Sequence, residues 1–194
     1  MVYLSKLAIV GGLAGVGKTT VLDIVYRMLG EKGISFQQFV YGSVMLAEAE
    51  KLGIRDRDMM RKLPYEKQVE LQRIAAEAIR KSKADVVIVD THFQIPTPYG
   101  YLPGIPIYIA QILAPTHLFL ITAPAEIILK RRMSDPTRKR EIVSVDEIEK
   151  ELEYARMYMV AVSELTGAVA SEVVNEEGKP ESAAEELIKR LGLE

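Results

Sequence analysis

Residues 12–19 read Gly-Leu-Ala-Gly-Val-Gly-Lys-Thr and fit G-x-x-x-x-G-K-[ST] at every fixed position. An apolar run, Leu7 to Val10, precedes them, and Val21, Leu22, Val25, Met28 and Leu29 follow at helical spacing. Strand, loop and helix form the setting in which this motif has physical meaning. Glycines let the backbone curl so that several amides point at phosphate oxygens. The helix behind the loop aims its positive end at the same place. Lys18 is then within reach of the outer phosphates, and the Thr19 hydroxyl can ligate Mg²⁺.

Beyond the loop the chain alternates strand and helix patterns. Gly30 and Gly33 stop the first helix, and Ile34 to Val40 reads as a short strand. Ser43 to Lys51 reads as a helix ending at Gly53, followed by the charged stretch Arg55 to Lys62. Leu71, Ile74, Ala75, Ala78 and Ile79 make the stripe of a second clear helix. Asp85 to Asp90 is an apolar run closed by an acid, as in a buried parallel strand. A long loop with four prolines is expected from Thr91 to Pro106, then a short helix, Ile107 to Leu113, and a strand, Leu118 to Thr122. Pro124 opens a helix reaching about Met133. Ser144 with Glu147 predicts a capping box at the head of a long helix, and Ser182 with Glu185 predicts another at the head of the last. Val169 to Val174 reads as the final strand. The expectation is a three-layer α/β fold with a mainly parallel sheet, the architecture of phosphate-loop NTPases. Ligands would sit at the carboxyl ends of its strands, where Gly12 and Asp90 both fall.

Composition narrows the function classes. The 194 residues are 48% apolar, enough for one sizeable core and one domain. There is no cysteine, so disulfides and thiolate metal sites are excluded. A net charge of −2 argues against a broad nucleic-acid surface. Leu7 to Val16 is too short to span a bilayer and runs straight into the phosphate loop, so neither a membrane anchor nor a signal peptide is expected, and a cytoplasmic location is. A single Asn, Asn175, no Cys and abundant charge lean towards a thermophilic source.

Several side chains are candidates for chemistry. Asp90 ends its strand as a Walker-B-type acid does, placed to hold Mg²⁺ directly or through water. The run Lys130, Arg131, Arg132, Arg138, Lys139 and Arg140 sits between two helices, where a lid would lie. Its guanidinium groups suit phosphate and the charge that develops in phosphoryl transfer. A solvated face is the plainer reading of such a run. Arg156 borders the apolar stripe of the long helix and needs a partner, either a nucleotide phosphate or an acid such as Glu153. A base at His92 is not required by phosphoryl transfer, and His117 is assigned no role.

The order of motifs resembles that of archaeal-type adenylate kinases. The residues that carry the resemblance are the phosphate loop, Tyr41-Gly42 with Met45-Leu46, Asp56-Arg57-Asp58 with Met60-Arg61-Lys62-Leu63, Asp90-Thr91-His92, Tyr101-Leu102-Pro103-Gly104, and Thr137-Arg138 with Arg140. It runs from about Leu7 to the last helix and implies Mg²⁺-dependent transfer of a phosphoryl group between ATP and AMP, giving two ADP. The implied layout is a single domain, 1–194, with a core at 1–40 and 81–194, an AMP-binding arm at about 41–80 and a short lid at about 133–144. By resemblance Gly12, Leu13, Ala14, Gly15, Val16, Gly17, Lys18, Thr19 and Thr20 bind the ATP phosphates. Arg138, Arg140 and Arg156 would join Lys18 as catalytic, charge-neutralising groups. Arg57 and Arg61 would contact AMP, with Asp90 and His92 on the substrate side and Thr19 and Asp90 at the metal. A trimer is implied by resemblance alone. Three positions depart from the family pattern: Ser43 where Asp is usual, Ala47 where the broader adenylate kinases place an arginine, and Ala14 where proline is common.

Two other classes remain open from the sequence. One is a different nucleoside-monophosphate or small-molecule kinase. The other is a non-catalytic, ATP-switched module acting on RNA or ribosomes. A GTPase would need N-K-x-D, which is absent.

Overall fold

The structure, a computed structural model, describes residues 6–56, 59–60, 62–97, 99–134 and 144–193. Its centre is strand β1 (Lys6–Gly12), whose residues Leu7 to Val10 are at most 2% exposed. A strand covered on both faces has no polar side to show, so it reads as a continuous apolar run rather than an alternation. The same holds for β3 (Val86–Asp90) and β6 (His117–Thr122). These three pair in parallel, and β2 (Phe36–Val40) and β7 (Val169–Val174) complete a five-stranded sheet in the order β2-β3-β1-β6-β7. The edge strands are less apolar and less buried, as edges can be.

Helix α1 (Lys18–Glu31) carries the chain from β1 back to β2, whereas the later crossovers run the other way along the sheet. Right-handed crossovers then put α1 on one face and the later connections on the other. On the second face lie α3 (Tyr65–Arg80), α4 (Ile107–Leu113) and α6 (Val145–Thr166), which pack in that order. The last helix, α7 (Pro180–Arg190), packs back on α1. Helix α2 (Tyr41–Glu50) follows β2 and packs on α3, and α5 (Ala125–Ser134) packs on α6. The three-layer α/β fold with a parallel sheet is therefore the observed one.

The capping box at Ser144 forms as its sequence predicts. Glu147 donates its backbone N–H to Ser144 Oγ at 3.2 Å, and Ser144 N–H reaches Glu147 Oε2 at 2.7 Å. The second box does not. The last helix starts earlier, with Pro180 in its first turn and Lys179 as cap, so Ser182 already lies inside it. Proline's missing N–H and preset φ favour that start over a serine two residues on.

The expected loop 91–106 holds an antiparallel hairpin, β4 (Gln94–Thr97) and β5 (Gly100–Pro103). Pro96 and Pro103 lie within its strands, which is tolerated because each strand has only one partner. The hairpin docks on α6, where Tyr101 stacks on Tyr154 at 4.2 Å and Tyr158 Oη donates to the Tyr101 carbonyl at 2.9 Å. Its base closes where Gly104 N–H meets the Phe93 carbonyl at 2.8 Å. A Cβ on Gly104 would come 1.9 Å from the His92 carbonyl oxygen.

That close approach predicts a contrast between two glycines. Gly104→Ala must push backbone apart and is expected to cost ~3 kcal/mol or more of stability. Gly30→Ala, inside α1 with nothing within 4 Å, should instead gain roughly 0.5–1 kcal/mol by restricting the unfolded chain. Urea midpoints at unchanged slope test this, and two equal midpoints would contradict it.

Candidate active site

Strands β1 and β3 are paired with Val10 opposite Asp90, and Thr91 N–H donates to the Val10 carbonyl at 3.0 Å. Two turns of chain therefore leave the sheet side by side, the phosphate loop from β1 and Asp90-Thr91 from β3. Gly15 and Gly17 hold φ of 97° and 83°, left-handed values that open the loop at no steric cost. Helix α1 starts at Lys18, directly behind Gly17. At this junction Lys18 Nζ contacts Asp90 Oδ1, and both side chains are largely buried. Burial pulls the Lys18 ammonium down to about 8 from its ordinary 10.5. The carboxylate beside it favours the charged form, but burial prevails.

A cleft of about 510 Å³ opens beside this pair. Thr19 and Asp90 line it on the loop side, Asp23 on α1, Val40 at the end of β2, and Ser43 and Ala47 on α2. Two of the three positions that depart from the expected family pattern, Ser43 and Ala47, thus face the same cleft. Helices α2 and α3 enclose a small core of their own, Ala49, Met60 and Leu71. Tyr41 Oη, on α2, donates to the Gln72 carbonyl at 2.8 Å, and Tyr108 Oη, on α4, to Gln72 Oε1 at 2.6 Å, so α3 is tied both to α2 and to the main body.

The basic run divides. Lys130, Arg131 and Arg132 belong to α5, not to a lid. Lys130 pairs with Glu177 at 2.9 Å. Arg131 Nη1 donates to the Val16 carbonyl at 3.0 Å, and Arg132 Nε to the Ala14 carbonyl at 2.8 Å. Asn175, the chain's only Asn, is buried at the end of β7 and donates through Nδ2 to the same Val16 carbonyl at 2.7 Å. These three side chains brace the loop from behind, and the sequence offers one faint sign of it: each lies at the carboxyl end of an element.

Arg156 finds an acid, but not Glu153. Its Nε and Nη2 donate to Glu172 Oε2 and Oε1, both at 2.9 Å, and Thr122 Oγ1 donates to Oε1 at 2.9 Å. The Arg156 hydrogen bonds, ahead of every other influence, hold the Glu172 carboxyl below its usual range. Arg57, Arg61, Arg138 and Arg140 lie outside the described residues. His92 contributes its carbonyl to the base of the hairpin, packed against Gly104. His117 stacks on Phe119 and bonds Thr116 Oγ1 at 2.9 Å, a structural setting. Among the described residues no cluster of three or more His, Asp or Glu could hold a metal ion.

The buried lysine has a pH signature. Between about 8 and 10.5 the folded chain has released the Lys18 proton while the unfolded chain still holds it. The unfolded state then binds more protons, so stability rises with pH across that window by at most about 1.4 kcal/mol per unit. Lys18→Met removes the group, so its stability advantage over the wild type should shrink from about pH 8 upwards. Urea unfolding of both proteins across the window measures this, and a constant difference would mean that Lys18 titrates normally.

A family described as the AAA domain matches residues 11–149. An adenylate kinase from Thermoplasma acidophilum is 42% identical over 188 residues, 96% of this chain and 99% of that protein. One from Thermoplasma volcanium is 44% identical over 183 residues, 94% and 97% of the two chains. One from Saccharolobus solfataricus is 42% identical over 193 residues, 96% and 99%. Among solved structures, a shikimate kinase from Bacteroides thetaiotaomicron superposes with a TM-score of 0.58 at 15% identity, covering 97% of this chain and 99% of its own. A shikimate kinase from Aquifex aeolicus gives 0.55 at 18%, covering 96% of each chain. At such identities those two speak for the fold alone. Identity above 40% along nearly the whole chain is a different matter, and it falls on a chain in which Lys18 of the phosphate loop meets Asp90 beside a cleft that Thr19 and Asp90 line: the protein carries an AAA domain and belongs to the adenylate kinase family of phosphotransferases.

Proposed function

We propose that the chain moves the terminal phosphoryl group of Mg·ATP to AMP, reversibly, giving two ADP. The observation that carries this reading is the meeting of Lys18, from the phosphate loop, with Asp90 at the edge of a cleft that Thr19, Asp90 and α2 line. An AMP phosphate oxygen attacks the terminal phosphorus in line, and the bond from that phosphorus to the bridging oxygen of the departing ADP breaks. The attacking oxygen is already ionised, so no general base is needed, in keeping with the structural setting of His117. Catalysis then rests on alignment and charge.

In this reading the amides of Gly12 to Thr20 hold the donor phosphates and Lys18 follows the transferring group. Thr19 and Asp90 would hold Mg²⁺, one hydroxyl and one carboxylate, which suits an ion that keeps water and phosphate oxygens as its other ligands. When bound, Mg²⁺ neutralises phosphate charge. Arg138, Arg140 and Arg156 are proposed to neutralise the charge that develops, with the lid at about 133–144 carrying the first two. Arg57, Arg61 and His92 are proposed for the AMP side, the two arginines on an arm at about 41–80 that has a small cluster of its own, Ala49, Met60 and Leu71, and joins the main core through Tyr41, Ala75, Ala76 and Ile79. Ser43 and Ala47 supply no cation there, so AMP's phosphate would draw its charge from Arg57 and Arg61. No described helix is long and apolar enough to cross a membrane. A cytoplasmic, trimeric enzyme from a thermophile, with no nucleic-acid partner, remains part of the proposal.

Lys18→Ala should fold and lose the reaction. Loss of a contact to the transferring phosphate is expected to cost about 3–4 kcal/mol of transition-state stabilisation, or roughly 10²–10³ in rate. Unchanged turnover in a folded variant would sink the assignment.

Donor and acceptor must also be held together. A compound joining two adenosines through five phosphates would span both half-sites and avoid the entropy cost of gathering two ligands. Calorimetry with Mg²⁺ should give one equivalent per chain, bound roughly tenfold or more tighter than ATP, about 1.4 kcal/mol. Equal affinity, with AMP still able to bind alongside, would show that there is no acceptor site beside α2.

A further inference from the structure

A loop whose amides face a ligand must turn its carbonyls towards the protein, and those carbonyls need donors. Here the partners can be counted one by one. Leu13 accepts from Val16 N–H at 3.3 Å, and Gly17 from Val21 N–H at 3.2 Å. Gly15 accepts from Arg131 Nη1 at 3.3 Å, and Val16 from Arg131 Nη1 and Asn175 Nδ2. Ala14 accepts from Arg132 Nε at 2.8 Å. Among the described residues, Arg132 is the donor of this group that also hydrogen-bonds a carboxylate. Its Nη2 donates to Glu151 Oε2 at 2.7 Å, with the two side chains only 11% and 14% exposed.

The placement of this pair matters. Arg132 stands in the last turn of α5, and Glu151 in the second turn of α6. These helices flank residues 135–143 on either side in the chain. The stem of Arg132 also packs under the loop, since a Cβ on Gly15 would lie 3.2 Å from Arg132 Cγ. We infer that Arg132 and Glu151 form a staple that fixes the apex of the phosphate loop to both helices flanking the lid segment, and that Arg132 is a positioning residue for the ATP phosphates. Glu151 locks the guanidinium so that Nε aims at the Ala14 carbonyl, a charge-assisted bond that orients as well as holds. A lysine is not equivalent, because its single ammonium lacks the planar fork that sets Nε on the Ala14 carbonyl and Nη2 on Glu151. Arg132 contacts backbone and an acid, not the substrate, so its effect should fall on binding of the donor rather than of the acceptor. The inference rests on the proposed role of the loop in holding ATP.

The test is initial-rate kinetics with ATP and AMP varied in turn, on Arg132→Lys, Glu151→Gln, the double variant and, in parallel, Lys18→Ala, each checked for folding by circular dichroism. Arg132→Lys should raise KM for ATP roughly tenfold while leaving KM for AMP within about twofold. Glu151→Gln, which keeps shape and Arg132, should move KM for ATP the same way by about threefold. The double variant should be no worse than Arg132→Lys, because the two residues act as one unit. A purely structural role would lower kcat with the folded fraction and leave both KM values alone, and that result overturns the staple. If Arg132→Lys does not fold, Glu151→Gln decides by the same criterion. Loss of turnover in Lys18→Ala with normal KM for ATP in both staple variants defeats the staple alone. Normal turnover in Lys18→Ala defeats the loop assignment and the staple with it.

Discussion

Everything at this site depends on a polarity the phosphate loop imposes on its surroundings. A backbone that gathers its N–H groups on the concave side leaves its C=O groups on the convex side. Water could satisfy them, but water would not fix the curve. In this chain the convex side is met by protein donors, from α5 and from the end of β7. The loop is thus set by elements far from it in sequence, and the sheet order that places β6 and β7 beyond β1 is what brings them there. Fold and site are linked through those few hydrogen bonds more than through the core.

The contact of Lys18 with Asp90 follows from the same geometry on the concave side. Parallel pairing of β1 with β3 sets Val10 opposite Asp90 and leaves an ammonium and a carboxylate at neighbouring strand ends. Each is costly to bury alone and tolerable as a pair. In the proposed reaction each has a better-matched partner available, phosphate for the lysine and Mg²⁺ for the aspartate. The pair keeps two charges in place that the chemistry needs apart.

What the sequence made legible was local. The phosphate loop, the apolar runs of β1, β3 and β6 and the Ser144 capping box all depend on neighbours within a few residues, and all stand as read. Two local signals failed against competitors. The prolines between 91 and 106 suggested an irregular loop, but Pro96 and Pro103 fit a two-stranded hairpin whose strands are both edges. The Ser182 box lost to Pro180, a stronger helix start two residues earlier. The site was legible in its loop and in Asp90, and not in its support. Arg131 and Arg132 sat in a charge run, and a run gives no directions. Consecutive residues on a helix point about 100° apart, yet both reach the loop because its carbonyls are spread along a curve. Arg156 with Glu172, and Asn175 with Val16, are pairings made by topology, which no local pattern carries.

The partners of the basic residues sort them by role better than their clustering does. Among the described residues Arg131 donates to backbone carbonyls, so moving it to a phosphate through Nη1 would release the loop. Arg132 and Glu151 are both buried, so parting them would strand a charge in a poorly solvated place. Arg156 and Glu172 are 41% and 33% exposed, so although their pairing is two-point, water can cover either member once they part. An arginine meant to move to phosphate charge during turnover should be held in this last way, oriented by its acid but cheap to release. The arginines of α5 build the loop, and Arg156 is held by a partly exposed carboxylate rather than by the loop.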